Sequence, residues 1–430
     1  MGTGTIFLTL AGIILLNTVF NFIFKRGMGT GLVAVPRKVM TRTLWWLATA
    51  AVPWFLGCSS SDTDPPAPTG RQGLDAKVTV ENYAAIVHAN YEAAVTGAEA
   101  LKGAVDALVA SPSEANLELA REAWITARVP YGQSESYRFY GGPIDDDDGP
   151  EGRINPWPLD EGYIDYVEGN DLSGIINHPD EFPTITKELI AEKNELGGEK
   201  NLSAGYHAIE FLLWGQDKSA NGPGDRPFTD YMTGGTGTAA NQERRAAYLT
   251  LVTELLVDDL HAVEEQWEPG EPGNYVEAFL AAPPEDGVKK MLTGMGSLAG
   301  AELSRERMNN ALQEQDQEEE HSCFSDNTLA DLLGNATAVE NVYLGRYGAL
   351  DGPGLDELVR AKDSALDDRM KAQLTAAREA IQAIPGPFDQ AISSDSGRVK
   401  VEAAISSLKA VTDTIVEVAT LLGVTINLEP

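Results

Sequence analysis

Cysteine and histidine are both scarce: 430 residues contain two cysteines, Cys58 and Cys323, and five histidines. Cys58 is claimed below by a lipid signal, so a single thiol remains. That excludes an intrachain disulfide framework and cysteine-based zinc sites. Acidic residues are missing from the first 57 positions, which hold five basic ones, Lys25, Arg26, Arg37, Lys38 and Arg42. Glycine-rich phosphate loops, a Gly-x-Ser-x-Gly elbow and a His-Glu-x-x-His zinc motif are absent. Sustained apolar–polar alternation is absent too, and β-branched clusters are few, which argues against sheet-based folds.

What is abundant is negative charge. The chain carries −33, and without the five basic residues of its first segment the remainder carries −38. A body this acidic repels nucleic acid and anionic lipid and gathers cations. The plainer reading of such charge is a solvated acidic surface. No nucleic-acid partner is expected.

Residues 1–57 read as a signal and membrane-targeting segment. An apolar run spans Ile6 to Phe24, and a second, Leu44 to Gly57, follows Arg37, Lys38 and Arg42 as an h-region follows a positive n-region. The second run ends Phe55-Leu56-Gly57-Cys58 and is followed by Ser59-Ser60-Ser61-Asp62. This looks like a bacterial lipobox, with Cys58 as the lipidated residue. The first run reads either as an extra membrane segment or as the result of translation starting later, at Met28 or Met40. Residues 58–77, rich in Ser, Asp, Pro and Gly, read as a flexible tether.

Beyond the tether the period is helical. Tyr83, Val87, Tyr91, Ala94, Ala98, Leu101, Val105 and Leu108 recur at three- and four-residue steps, and Ser113 or a neighbour caps the next helix. Further helices are expected over Asn241–Trp267, Val288–Gln315, Leu329–Tyr347, Leu355–Ile384 and Val399–Leu422. The prediction is an all-α fold of helical bundles, with a first half at 78–270 and a second at 271–430. Five identities at a shift of 184 positions, among them Arg121 with Arg305 and Glu135 with Glu319, suggest that the halves are related. Two long breaks, Gly141 to Gly162 and Gly215 to Gly237, interrupt the first half. The run Asp145 to Asp148 lacks the spacing of a calcium loop and reads as a solvated turn.

The sharpest motif is Gly205-Tyr206-His207-Ala208-Ile209-Glu210. His207 and Glu210, at i and i+3, share one helix face, and both suit iron or zinc. Buried hydrogen bonding between the two is the alternative. An ionisable pair among Ile209, Phe211, Leu212, Leu213 and Trp214 is costly to bury without a partner. A second segment runs from Trp124 to Ser136, with Pro130 placed to kink or restart its helix. In it Glu135 is a third possible ligand, while Arg128 is placed either to hold a carboxylate or ligand anion or to form an ordinary interhelical ion pair. His88 and His261 fall in helices and His178 in a loop. His321, after three glutamates, reads as part of a solvated acidic helix end.

These segments resemble the imelysin-like family, including its iron-regulated protein A branch. The family pattern Gly-x-His-x-x-Glu stands as Gly205, His207 and Glu210; Trp124 to Glu135 is similar to a second motif region; and His321 to Thr328 resembles the iron-regulated branch. The resemblance covers about residues 78 to 425. It implies a helical fold of two related halves, an envelope location agreeing with Cys58 and compatible with outer-membrane sorting at Ser59, and a link to iron acquisition. It also implies a metal site at His207 and Glu210, with Glu135 completing the set and Arg128, Gly205, Trp124 and Gln133 positioning it. The implied cofactor is a metal ion, iron or else zinc. The implied partners are iron or an iron chelate, the membrane through the anchor, and envelope iron-transport components. The family was named as peptidases, so a zinc-dependent metallopeptidase using His207 and Glu210 is a rival reading, although no complete catalytic set is visible. A structural or adhesion module without metal is a third.

Overall fold

The computed structural model describes residues 75–219 and 221–428. The expectations about Cys58 and the signal segment lie outside these residues, as does most of the tether.

Helix starts are set by side chains that satisfy otherwise orphaned backbone N–H groups. Asp75 accepts from the Lys77 N–H and opens the helix Ala76–Ala110, two residues inside the stretch read as tether. Ser113 accepts from Asn116 and opens Glu114–Ser134. The eight apolar positions from Tyr83 to Leu108 form the buried stripe of the first helix, as their spacing predicts. Burying each larger one contributes roughly 1.5–3 kcal/mol. The stripe packs on Glu114–Ser134 and on Gln242–Trp267, and Gly205–Trp214 completes this first bundle. Glu114–Ser134 runs through Pro130 without ending there.

The second bundle is built from a long helical run together with Thr328–Leu344, Ser364–Gln382 and Asp395–Leu422. That run is α-helical over Pro284–Ser297, π-helical over Leu298–Asn310 and α-helical again over Ala311–Glu314. The helix expected over 355–384 is broken at Asp363, whose carboxylate caps the next helix through the Ala365 and Leu366 N–H groups. The one small hairpin among the described residues, Arg346–Tyr347 with Leu350–Asp351, follows the Gly345 cap.

The fold is therefore all-α. Thr328–Leu344 packs along Glu114–Ser134 and joins the bundles, with Asn335 donating to the Gly132 carbonyl at 2.8 Å. The first bundle's contacts extend past residue 270, because Tyr275–Ala281 packs back on it through Trp267, Tyr275 and Phe279. Among the described residues no helix is long and apolar enough to cross a membrane.

Candidate functional site

The Gly205–Trp214 helix is buried along its whole length. Its ten residues are apolar nearly all round, the pattern of a helix enclosed by others. Gly205 has φ 85°, and a Cβ there would lie 2.6 Å from the Ile154 carbonyl oxygen and 2.7 Å from Pro156 Cδ, so only glycine opens this helix without strain. Neighbours fasten both ends. Trp124 Nε1 donates to the Tyr206 carbonyl at 2.9 Å, Arg121 Nε to the Leu213 carbonyl at 3.1 Å, and the Arg226 N–H to the Trp214 carbonyl at 2.7 Å.

His207 lies 1% exposed on this helix, its Nδ1 2.8 Å from Glu210 Oε2. The other Glu210 oxygen accepts the Ser325 N–H at 2.9 Å and the Ser325 hydroxyl at 2.7 Å. Facing His207 edge-on, with ring centroids 4.8 Å apart, is His321. Its Nδ1 lies 2.9 Å from Asp331 Oδ2, and that carboxylate also receives Ser322, Asn327 and Arg128. Each imidazole is thus fixed at Nδ1 by a carboxylate, the arrangement that presents Nε2 to a metal or ligand. His207 Nε2 is buried without a hydrogen-bond partner, and His321 Nε2 has only Asn155 Nδ2, at 3.4 Å.

Burial dominates the electrostatics. It pushes both imidazoles down to about 3, helped by Arg128 at His207 and by Arg307 at His321, so both rings are neutral. It pushes the Glu210 carboxyl up to about 8, against the pull of Ser325. Burial works in the same direction on Asp331, but Arg128 and His321 overcome it and hold that carboxyl well below the usual range. Glu135 is likewise held down by Arg307 and Arg138 despite its burial.

The residues expected from the sequence come together in pairs. Glu135 is fully buried, but Arg307 Nη2 holds one of its oxygens at 2.6 Å and Asn155 donates to the other at 3.1 Å. Arg128 reaches Asp331 at 3.1 Å and donates to Asn155, enclosed by the rings of Trp124, Tyr131 and Tyr206. Its ion-pairing capacity goes to a carboxylate of the second bundle, the interhelical alternative weighed above. Gln133 accepts from Asn341 Nδ2 at 3.1 Å. Among the described residues, the group of three that brings its ligand atoms within 4.8 Å of one another is His88, Glu264 and Glu268, not His207, Glu210 and Glu135.

A polar cleft of about 230 Å³ reaches this centre from solvent, with Arg138, Glu302, Arg307, Trp157 and His321 among its lining. His321 is the main residue that sequence reasoning misplaced. It is 1% exposed, not part of a solvated helix end. Its available signal was the His321-to-Thr328 segment, which also supplies Ser325 to Glu210. Arg307, Asn155 and Asp331 carried no local signal.

A family model described as Imelysin matches residues 87–415. Iron-regulated protein A of Synechococcus elongatus is 25% identical over 369 residues, covering 84% of this chain and 90% of its own. A solved structure from Parabacteroides distasonis, described as an iron-regulated protein A precursor, superposes with a TM-score of 0.64 at 20% identity, covering 83% of this chain and 98% of that one. An imelysin-like protein from Psychrobacter arcticum gives a TM-score of 0.60 at 14% identity, covering 83% of this chain and 100% of its own.

Proposed function

The chain belongs to the imelysin family, and from that membership we propose that it binds iron, as an ion or carried by an anionic chelator, at the cleft lined by His321, whose ring faces the buried His207. The observation that carries this reading is the pair of neutral, adjacent imidazoles, each anchored at Nδ1 by a carboxylate, with His207 Nε2 left without a partner. Nitrogen donors of this kind suit iron and zinc. The relative named iron-regulated protein A favours iron.

In this reading His207 and His321 are the donors, and Glu210 and Asp331 orient them. Glu135 becomes a ligand only by giving up Arg307, so in the arrangement described it positions Arg307 and Asn155 at the cleft wall. Arg138 and Arg307 line the cleft paired with Glu151 and Glu135, and the anionic groups of a chelator would compete for them. Glu210 keeps its proton up to about 8 and directs it at His207 Nδ1, which places the ring hydrogen on Nε2. Binding at Nε2 therefore releases one proton at neutral pH. A lipid anchor at Cys58 would hold the body at the bacterial envelope, within reach of iron-transport components.

The test is the iron and zinc content of the full chain beside His207→Gln and His321→Asn, which keep side-chain bulk. Loss of one equivalent in both variants, with helix content unchanged, is the expected result. Unchanged stoichiometry in both would overturn the assignment.

A further inference from the structure

A second group of metal-binding side chains lies on the first bundle, built from residues the buried centre does not use. His88 Nε2, on Ala76–Ala110, stands 2.7 Å from Glu268 Oε2 and 3.5 Å from Glu264 Oε1. The ligand atoms of all three lie within 4.8 Å of one another. Glu264 and Glu268 are one turn apart at the end of Gln242–Trp267, so two packed helices bring the donors to one point.

We propose that His88, Glu264 and Glu268 bind a divalent transition-metal ion of the zinc type. One imidazole and two carboxylates match that ion's donor preference, and three protein ligands leave a fourth position open to water. Three features separate the group from an ordinary surface ion pair. His88 and Glu264 are each less than a fifth exposed, so their side chains are held by packing. Among the described residues neither carboxylate is paired with a lysine or arginine; both face histidines. The other oxygen of Glu264 lies 3.5 Å from His261 Nδ1, the place an outer partner takes in metal sites. Two carboxylates turned toward one imidazole repel each other, and a bound cation turns that repulsion into attraction.

The experiment is calorimetric titration of Zn2+ into the full chain, into His88→Ala and into Glu268→Gln, with circular dichroism to confirm helix content. Glu268 is 44% exposed, so its substitution leaves folding intact. The expected result is that each variant loses one zinc equivalent or weakens it by about 100-fold or more, since loss of an outer partner alone costs 10–100-fold. His207→Gln should retain this equivalent, which keeps the result independent of the buried centre. Zinc binding in either His88→Ala or Glu268→Gln that matches the unsubstituted chain overturns the proposal.

Discussion

His207-Ala208-Ile209-Glu210 and His261-Ala262-Val263-Glu264 are almost the same tetrapeptide, each on a helix, each with imidazole and carboxylate at i and i+3. The first is sealed inside the protein, with His207 1% exposed; the second sits at the surface, with His261 42% exposed. Helix geometry is common to both and does not explain the difference. The neighbours do. Gly205–Trp214 is apolar nearly all round and is enclosed, while Gln242–Trp267 keeps one face in water. In the interior, a ring N–H lacks a hydrogen-bond partner and burial pushes the Glu210 carboxyl up to about 8; Ser325 and Arg128 offset part of that push, and Arg128 also neutralises Asp331. At the surface water does that work, and His88 from another helix turns Glu264 into part of a different group.

The sharpest way to break the comparison is to remove the interior's compensation. Arg128→Ala leaves the Asp331 carboxylate buried and opposed only by His321 and neutral donors. It should cost about 3–5 kcal/mol in urea unfolding, the cost of stranding a buried charge. A loss below about 1 kcal/mol would mean that water reaches the centre and that it resembles the surface pair after all.

Next comes direct exchange between the two tetrapeptides. His207→Ala removes the partner of a buried carboxyl and should cost about 1–3 kcal/mol. His261→Ala should stay within about 0.5 kcal/mol, as surface substitutions do. Equal effects in paired thermal melts would erase the distinction.

Titration sharpens it further. The folded protein holds the Glu210 proton up to about 8, whereas the unfolded chain releases it near 4.5. This group's contribution to stability is therefore full below about 4.5 and is lost as pH rises through about 8. Glu210→Gln cannot titrate. Its stability relative to the unsubstituted, metal-free protein should rise across that window, by at most about 1.4 kcal/mol per pH unit. A flat difference curve from denaturant midpoints would show that Glu210 is ionised in the fold.

Much of the architecture was readable in advance. The stripe from Tyr83 to Leu108 and the helices near Asn241–Trp267 and Val399–Leu422 follow from a 3.6-residue period, a local property of any chain. Gly205, required by the Ile154 carbonyl, stood out because glycine is costly inside a helix. The identities at a shift of 184 gave no guide to individual roles: Arg121 is buried at the end of the Gly205–Trp214 helix, while Arg305 is exposed beside Glu306. The break at Asp363 was missed because a cap interrupts a helix without interrupting the apolar period.

By itself the sequence determined the helices, their buried faces and the placing of His207 beside Glu210, because each depends on residues a few positions apart. Only the tertiary structure decided what surrounds that pair. It brought His321 across from 114 positions away to face it, gave Arg128 to Asp331 and Glu135 to Arg307, and set His88 against Glu264 and Glu268. Those partners lie on different helices, and no periodicity along one helix records which side chains of another will meet it once both are packed and water is excluded.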